Sequence, residues 1–446
     1  MKKFLCMLLV VAFLAIPGIP ASADVPFDTD GDFAYTTKNG EATIWLYVGR
    51  DPDMAFPDTI AGCPVTTILA DVFSNCRIDI NSVTIPDSVK RINGGAFSGC
   101  KELTTFLIGE GNPAYYVSGN CILEKGTNKL IAGCKASVIP RNVTAIGEKA
   151  FYGCAKLTGI EIPGSVRSIG EMAFYGCDAL TRIEIPNGVE TIGNYAFCYC
   201  EKLTSIRIPS SVKTVGEGAL DTALTSITVD KGNPVYYASG NCLIEKGTEV
   251  LVAGCKTSVI PRGVKVIGRF AFSSCSSLTS IEIPDSVETI ESYAFRSCTG
   301  LTSFVIPNSV KRIEDRAFSY CKGLTSIVIP GSVKTVGRSV FSDCSSLKDV
   351  YCEADAKPEG WDNGWLGSFV SKAVVHWGYR PPVAGDVMGN GGIDATDYLY
   401  LKRYCLGTYA LSAVQKAAAD VNGDGRINSF DYLLIKRHVL GTYKIG

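Results

Sequence analysis

The sequence predicts a solenoid of short parallel β-strands and short helical turns, which carries β-hairpin inserts and is followed by a small all-α module. Three observations predict this fold. The segment AFxxC returns at a constant interval and places cysteines at 154, 177 and 200. A longer block that starts at Gly111 returns from Gly232, and two similar loop-helix units follow the last repeat. A fixed period of roughly 20–50 residues indicates an array in which each unit buries its apolar face only against its neighbours.

The segment over 1–23 has the order of a secretory signal peptide. Lys2 and Lys3 precede an apolar run over 4–16, and small residues at 21–23 offer a cleavage site. The apolar run is too short to cross ~30 Å of hydrocarbon, and no later stretch approaches ~18 consecutive apolar residues. We therefore expect a secreted, extracellular chain that starts near Asp24 and does not insert into a membrane.

The chain over 24–377 is predicted to be one solenoid with end caps. In one coil the apolar positions run from Leu180 through Ile183 to Phe197 and Cys200. The cysteine occupies a core position, where a free thiol packs as a small hydrophobic group, and disulfides are the alternative in an exported protein. The predicted caps are a hairpin over 32–48 and a tryptophan-containing segment over 361–377.

The longer duplication adds a β-hairpin to the array twice. If each hairpin folds about its centre, Cys121 faces Cys134 and Cys242 faces Cys255. Cross-strand disulfides are then one alternative to free thiols. The inserts also carry candidate sugar-binding aromatic residues, for which packing is the alternative role: Tyr115, Tyr116, Tyr236 and Tyr237.

Side chains between the buried strand positions point outward and form an exposed ladder. Its members are Glu161, Glu184, Arg207, Glu282, Val305 and Val328. Equivalent positions of adjacent coils lie ~5 Å apart, so Glu161 and Glu184 approach the carboxylate spacing of a retaining glycosidase. An open ladder provides no desolvated acid, so we interpret both as solvated charges. The ladder shows no aromatic row for sugar stacking, yet its breadth suits an extended glycan or protein ligand.

The repeat pattern IxIPxxVxxIGxxAFxxCxxL resembles the BspA-type leucine-rich repeats of secreted and surface bacterial proteins. The motif recurs from Phe73 to Phe341, with Leu220 in a degenerate copy. The resemblance implies a right-handed leucine-rich-repeat solenoid and a role in adhesion or recognition, without naming a ligand.

The sharpest chemical signal follows a Pro-containing linker over 378–385. The segment 420–431 places oxygen ligands at alternating loop positions, with the spacing of an EF-hand calcium loop. Alternate residues of a tight loop converge on one point, and hard oxygen donors suit Ca²⁺. The ligands predicted here are Asp420, Asn422, Asp424, Arg426 through its carbonyl, Asn428 and Asp431.

A related loop lies upstream, over 386–397. Its predicted metal-binding residues are Asp386, Asn390, Gly392, Asp394 and Asp397. Met388 stands at the third loop position, where a thioether is a poor ligand for a hard cation. The sequence therefore predicts two calcium sites, of which the one over 386–397 is weaker.

Each loop leads into a helix with a Lys-Arg pair, and this duplication over 386–446 resembles a type I dockerin. The resemblance implies a module that folds on calcium and binds a cohesin domain of a scaffoldin, as in cellulosomes. The cohesin-binding positions that it implies are Ala395, Thr396, Lys402, Arg403, Ser429, Phe430, Lys436 and Arg437. Physically, the Lys-Arg pairs offer cations to an acidic partner, or simply form solvated helix faces.

Composition excludes several other classes of protein. The 43 basic and 44 acidic residues give a net charge of −1, so no nucleic-acid footprint is present. Only His376 and His438 could serve a histidine-based triad or zinc site, and no GxSxG, HExxH or P-loop motif occurs. No region outside the repeats is large enough for a catalytic domain.

These observations predict a secreted, non-catalytic component of a cellulosome-type complex. The component docks to cohesin through its calcium-dependent module and associates with the cell surface through a scaffoldin, while its repeats present a recognition surface for a protein or glycan. Two alternatives remain open at the level of sequence. One is a polysaccharide-degrading subunit of the glycoside hydrolase type, and the other is a cell-surface adhesin.

Overall fold

The computed structural model describes residues 28–445 apart from short gaps at 75, 77, 221–222, 371–372, 380–383, 389–391, 412 and 423–425. The signal peptide predicted over 1–23 lies outside the described residues, as does the part of the predicted linker over 380–383. The chain forms two compact units. One contains residues up to 259 together with 269–273, and the other contains 260–268 and the residues from 274 onward.

The first unit begins with the hairpin predicted over 32–48. Its antiparallel strands are β1 (Asp28–Asp30), β2 (Phe33–Lys38) and β3 (Glu41–Tyr47). Strand β3 then pairs in parallel with a strand of the first coil, with Ile44 opposite Ile68. The buried side chains of Ile44 and Tyr47 belong to the same core as those of the first coils, so the hairpin caps the array.

Short strands from successive coils make up most of the first unit. They are β4 (Asp53–Ala55), β5 (Thr59–Ile60), β6 (Cys63–Ile68), β7 (Ser82–Ile85), β8 (Arg91–Ile92), β9 (Thr105–Ile108), β13 (Ala145–Ile146), β14 (Gly159–Glu161), β15 (Ser168–Ile169), β16 (Arg182–Glu184), β17 (Thr191–Ile192), β18 (Ser205–Ile208), β19 (Thr214–Val215) and β20 (Ser226–Val229). Equivalent strands of neighbouring coils pair in parallel, for example β14 with β16 and β15 with β17.

Each of the two inserts forms three antiparallel strands. They are β10 (Tyr115–Ser118), β11 (Cys121–Glu124) and β12 (Lys129–Ala132), and then β21 (Tyr236–Ser239), β22 (Cys242–Glu245) and β23 (Val250–Ala253). The inserts therefore turn twice, where the sequence analysis predicted a single hairpin. The extra turn of the first copy lies at Gly119-Asn120, and both of these residues have positive φ angles.

The second unit continues the same architecture and adds three helices. Its strands are β24 (Val266–Ile267), β25 (Thr289–Ile290), β26 (Arg312–Ile313), β27 (Ser326–Ile329), β28 (Thr335–Val336), β29 (Asp349–Cys352) and β30 (Val374–His376). Its helices are α1 (Ala395–Cys405), α2 (Ala413–Ala419) and α3 (Ser429–Val439). A β-solenoid followed by three short helices confirms the fold class predicted from the sequence.

The repeat phenylalanines and cysteines form regular columns inside the array. The rings of Phe151 and Phe174 stack with centroids 5.0 Å apart, and Phe174 and Phe197 follow at 5.5 Å. The thiol of Cys200 donates to the carbonyl oxygen of Phe174 at 3.3 Å. Burial raises the pKa of Cys177 well above its usual value. The column cysteines thus pack as thiols among the core residues, as the packing alternative predicts.

The insert cysteines are also free thiols in this structure. Cys121 and Cys134 are both buried, and each thiol donates to backbone carbonyl groups. The second copy repeats this arrangement with Cys242 and Cys255.

Candidate metal and docking site

The three C-terminal helices share a small apolar core. Leu401 of α1 and Ile435 of α3 are fully buried and occupy equivalent positions of the two halves. Beside them, Tyr398 and Tyr432 stack with ring centroids 4.8 Å apart, and their hydroxyl groups are hydrogen-bonded to each other. The loop-helix duplication therefore builds two halves that face each other across one core.

Both calcium-loop helices start with the same capping box. At α1, Asp394 accepts from the backbone N–H of Thr396 at 2.6 Å, and Asp397 accepts from the N–H of Asp394 at 2.8 Å. At α3, Asn428 accepts from Phe430 at 2.7 Å, and Asp431 accepts from Asn428 at 3.0 Å. Two predicted ligand positions of each loop therefore also fix the start of the helix.

The carboxylate at the last position of each loop reaches back to the start of that loop. Asp397 accepts from the N–H of Met388 at 2.8 Å, and Asp431 accepts from the N–H of Val421 at 3.0 Å. Asp386, Asp397 and Asp431 are all buried. Burial raises the pKa of Asp397, while hydrogen bonds from the backbone of Asp394 and Met388 act in the opposite direction.

This donor set fits a calcium ion. Burying Asp386 and Asp397 in one loop is costly unless a cation compensates their charge, and oxygen donors in a twelve-residue loop are what Ca²⁺ prefers. The structure describes most of the predicted ligands, namely Asp386, Gly392, Asp394, Asp397, Asp420, Asn422, Arg426, Asn428 and Asp431. Asn390 and Asp424 lie outside the described residues. The assignment of all these residues as ligands remains a prediction.

The third position of the first loop has a partner that the sequence analysis missed. The side-chain amide nitrogen of Gln415, on α2, donates to the sulfur of Met388 at 3.5 Å. Helix α2 is held beside this loop, because the N–H of Gly385 donates to the carbonyl of Ala418 at 2.8 Å. No sequence motif connects Gln415 with Met388, so only the tertiary structure reveals this contact.

The predicted cohesin-binding residues all lie on the surface. Ala395, Thr396, Lys402, Arg403, Ser429, Phe430, Lys436 and Arg437 are exposed. The guanidinium of Arg403 lies over the rings of Tyr400 and Tyr409, at 5.7 and 5.4 Å from their centroids, and that of Arg437 lies 5.5 Å from Tyr443. Cation–π contacts of this kind hold both charges in defined positions.

Exposed leucines extend this surface and were missed in the sequence analysis. The matched pairs, at equivalent positions of the two halves, are Leu399 with Leu433 and Leu406 with Leu440. Leu406 and Leu440 are 67% and 64% exposed, although leucine is normally among the buried residue types. The duplication in the sequence could have revealed these leucines. Both helices repeat the same apolar residues at positions outside the core, which indicates an apolar surface on each helix.

The ladder of the first unit consists of solvated charges, as predicted. Glu161 and Glu184 are direct partners in the β14–β16 pair, and both are exposed. The Nε atom of Arg207 lies 2.6 Å from a carboxylate oxygen of Asp230, so Arg207 forms an ion pair with the next coil. The carboxylates of Glu161 and Glu184 thus lie on a solvent-facing strand pair, in agreement with their interpretation as solvated charges.

In the second unit the ladder begins with the exposed Glu282 and then becomes apolar, and Tyr351 and His376 extend it beyond the six positions predicted from the sequence. Val305 lies opposite Val328, Val328 opposite Tyr351, and Tyr351 opposite His376. Val305 is 76% exposed, and Tyr351 stacks on His376 with centroids 4.7 Å apart. His376 also lies 2.9 Å from a carboxylate oxygen of Asp349. The strand Asp349–Cys352 has the sequence DVYC, which departs from the repeat motif. The sequence analysis therefore did not assign Tyr351 to the ladder.

Two of the insert tyrosines that were candidates for sugar binding are core residues. Tyr115 and Tyr236 are 5% exposed, and their hydroxyl groups accept from the backbone N–H groups of Ile92 and Val215. The other two, Tyr116 and Tyr237, lie partly buried beside them. The packing alternative is therefore correct for Tyr115 and Tyr236.

A stacked array of AFxxC coils with a paired loop-helix module defines the class of protein as a leucine-rich-repeat solenoid that carries a docking module. The family model described as a BspA type leucine rich repeat region matches residues 59–121, 131–241 and 253–357 in six copies. These matches cover more than half of the chain, which therefore belongs to the BspA-type leucine-rich repeat family. The model of the dockerin type I domain matches residues 384–440. Both matched modules are non-catalytic.

Solved structures of other proteins also match this chain. A leucine rich cell surface protein from Faecalibacterium prausnitzii is 27% identical, over 75% of this chain and 96% of that one, with a TM-score of 0.41. The pneumococcal vaccine antigen PcpA is 20% identical, over 80% and 99% of the chains, with a TM-score of 0.43. A leucine-rich repeat protein from Eubacterium ventriosum is 22% identical, over 79% and 84%, with a TM-score of 0.43.

Comparison with curated proteins gives no significant match. Within the described part of the chain, no helix has both the length and the apolar character needed to cross a bilayer.

Proposed function

We propose that this protein is a secreted, non-catalytic component of a scaffoldin-based complex of the cellulosome type. Its C-terminal module, over 386–446, docks to a cohesin domain in a calcium-dependent manner. Its repeats, over 24–377, present a recognition surface for a protein or glycan, and 378–385 acts as the linker. The observation that carries this proposal is the pair of loop-helix halves, in which buried carboxylates cap two helices with exposed apolar and cationic faces.

Calcium, when bound, supplies the positive charge that offsets the carboxylates of each loop, of which Asp386, Asp397 and Asp431 are buried. Asp397 and Asp431 connect metal binding with helix formation. Each carboxylate accepts hydrogen bonds from a backbone N–H near the start of its loop and from the backbone N–H of the N-cap residue of its helix. A metal that binds only the folded loop adds its binding free energy to folding. We therefore expect the docking faces of α1 and α3 to be complete only with calcium.

The docking face combines an apolar centre with cations at its edge. Leu399, Leu433 and Phe430 provide exposed apolar surface, and Lys402 and Lys436 stand on the same two helices. Interfaces of this composition bury their apolar anchors and use charges at the rim for orientation and association rate. The expected partner surface is therefore apolar with acidic groups around it, which supports a protein partner such as cohesin.

The recognition surface of the repeats is best placed on the second unit. There the row from Val305 to His376 presents apolar and aromatic groups, of which Val305 is exposed and the others are half-buried, whereas charges occupy the equivalent row of the first unit. Exposed apolar patches on a soluble protein are typical of binding surfaces. This assignment supports recognition rather than polysaccharide hydrolysis, because the row lies on an open sheet.

Isothermal titration of the mature chain with cohesin domains of the source organism tests the proposal. We expect binding in calcium buffer and its loss in a calcium chelator. Binding that survives chelation, or no binding to any of these cohesins, would contradict it.

A further inference from the structure

Two rows of side chains run side by side on one face of the last coils of the second unit. Ser326 and Val328 of β27 share this face, because residues i and i+2 of a strand point to the same side. Asp349 and Tyr351 share it on β29, where they lie directly opposite Ser326 and Val328. An apolar and aromatic row therefore runs beside a row of hydroxyl and carboxylate groups.

The ring of Tyr351 is oriented by two aromatic neighbours. His376 of β30 stacks on it with ring centroids 4.7 Å apart and an interplanar angle of 15°. Tyr379 contacts the same ring at 4.9 Å with a tilt of 46°, and its backbone N–H donates to the carbonyl of Cys352. Both neighbours belong to the segment that begins with β30, so they approach Tyr351 from the side opposite to β27.

The side of Tyr351 that faces β27 borders a shallow apolar surface. There the row continues with Val328 and then Val305, which is 76% exposed. A valine side chain ends at its γ-carbons, whereas a tyrosine ring extends much further from the backbone. Tyr351 therefore stands above the two valines and forms a corner with them, in which the valines provide the floor and the ring provides the wall.

Hydrogen-bonding groups line the edge of this corner. Ser303 and Ser326 belong to the row beside the two valines, and Asp349 continues that row beside Tyr351. Nε2 of His376 lies 2.9 Å from Oδ1 of Asp349, and the two side chains are 40% and 37% exposed. A ligand in the corner can therefore reach hydroxyl groups and a carboxylate that is already paired with an imidazole.

This combination of groups fits a carbohydrate better than a polypeptide. A sugar has an apolar ring face that packs against aromatic rings and hydroxyl groups that bond to polar side chains. A peptide that binds by strand addition needs an open strand edge, whereas β29 is paired on both sides, with β27 and with β30. The pairing of Asp349 with His376 is also complementary to a neutral ligand that carries hydroxyl groups.

The row is long and straight enough for several sugar units. From Val305 to His376 it crosses three strand spacings with the residues in register, which corresponds to ~14 Å. An extended oligosaccharide can follow such a row, whereas a helically coiled one contacts it over a shorter length.

We propose that this row binds a neutral, extended oligosaccharide, with one sugar ring packed against Tyr351 and its hydroxyl groups bonded to Asp349 and the serine row. The proposal rests on the proposed function, because it names the ligand class of the recognition surface of the repeats. Binding at this row involves neither the calcium loops nor the docking face.

Titration calorimetry of the full mature chain with cellohexaose, xylohexaose and mannohexaose tests this assignment. Maltohexaose, whose α-linked chain coils, is the control ligand. We expect at least one of the β-linked hexasaccharides to bind about tenfold more tightly than maltohexaose or better. Equal affinity for maltohexaose would overturn the assignment of an extended ligand.

Variants of the row separate stacking from folding. Tyr351→Ala should weaken hexasaccharide binding by about tenfold or more, whereas Tyr351→Phe keeps the ring and should change it by less than about twofold. Val305→Lys alters a side chain that is largely exposed, so the chain should fold normally and bind about threefold more weakly, because the apolar floor is lost. Tyr320→Ala removes a 39% exposed ring of the same unit outside the row, and this matched control should bind normally.

Unchanged affinity in either Tyr351→Ala or Val305→Lys would overturn the assignment of the row, as would equal weakening in Tyr320→Ala. If none of the β-linked hexasaccharides binds to a chain that still binds cohesin, the carbohydrate ligand is overturned, a protein ligand is favoured, and the docking function stays intact. Hexasaccharide binding that depends on Tyr351, in a chain that binds no cohesin, would support this assignment and contradict the docking part of the proposed function.

Discussion

The two loop-helix halves of the C-terminal module have the same local structure but different surfaces. Each has a capping box, a buried carboxylate and one buried aliphatic residue on its helix, Leu401 in α1 and Ile435 in α3. On the outside, Phe430 of α3 is 54% exposed, whereas α1 has Thr396 at the equivalent position. The residues that fix the fold are therefore duplicated, as are the exposed leucines and the Lys-Arg pairs, whereas the first turn of each helix, with Thr396 in α1 and Phe430 in α3, has diverged.

The largest expected effects test whether both halves depend on one core. Leu401→Ala and Ile435→Ala should each lower the free energy of unfolding of the module by about 2–5 kcal/mol, because each removes a buried aliphatic side chain and leaves a cavity. Chemical denaturation of the full chain in calcium buffer, followed by the transition of its helical signal, measures this. A large loss for one variant and none for the other would show that the halves are stabilised separately.

The second calcium loop is expected to matter more for docking than the first. Asp424→Ala removes a carboxylate ligand predicted for the complete loop, and we expect the cohesin affinity to fall by about a hundredfold, ~2.7 kcal/mol. Met388→Ala removes no oxygen ligand and should change the affinity by less than about twofold. Calorimetric titration with cohesin gives both values, and equal sensitivity would contradict the inequality of the loops.

The docking faces should also be unequal. Phe430→Ala removes an exposed aromatic anchor, and we expect about a tenfold loss of cohesin affinity, since such anchors dominate interface energies. Thr396→Ala, the matched change on α1, should have almost no effect. Surface plasmon resonance on immobilised cohesin distinguishes this from two equivalent docking orientations, in which each single change would be nearly silent.

The smallest effect is expected from the cations at the rim. Neutralising Lys436 and Arg437 should slow association with cohesin by about threefold at low salt and hardly at all at high salt, because rim charges act mainly on association and are screened. The equivalent change at Lys402 and Arg403 is the control on α1. Stopped-flow measurement of the association rate at two ionic strengths gives the difference between the two variants. A decrease that does not depend on salt would contradict a position of Lys436 and Arg437 at the rim of the interface.

How much could be predicted from the sequence depends on whether a feature repeats in register. The coil core could be predicted, because a side chain such as Phe174 recurs at the same place in each coil with its cysteine, and both are buried. The paired loop-helix units, which the dockerin type I model matches, could be predicted for the same reason. The spacing of the predicted ligand residues depends on the geometry of the tight loop itself and hardly on the rest of the molecule.

Features that depend on contacts between distant residues could not be predicted. Tyr115 lies in the core, where its hydroxyl group accepts a hydrogen bond from the backbone N–H of Ile92, a residue distant in the sequence. Gln415 reaches the first loop because of the packing of α2, and its contact with Met388 joins residues far apart in the sequence. Tyr351 joins the exposed ladder through strand register in a coil whose sequence departs from the repeat.

We expect calcium to fold both loop-helix halves and thereby to complete the docking face. Hydrogen-deuterium exchange of the full mature chain, with calcium and with a chelator, tests it most directly. We predict that the amides of α1 and α3 are protected only with calcium, that cohesin adds protection on their exposed faces, and that the repeats exchange equally in both buffers. Equal protection of α1 and α3 in the chelator, together with undiminished cohesin binding, would contradict the claim.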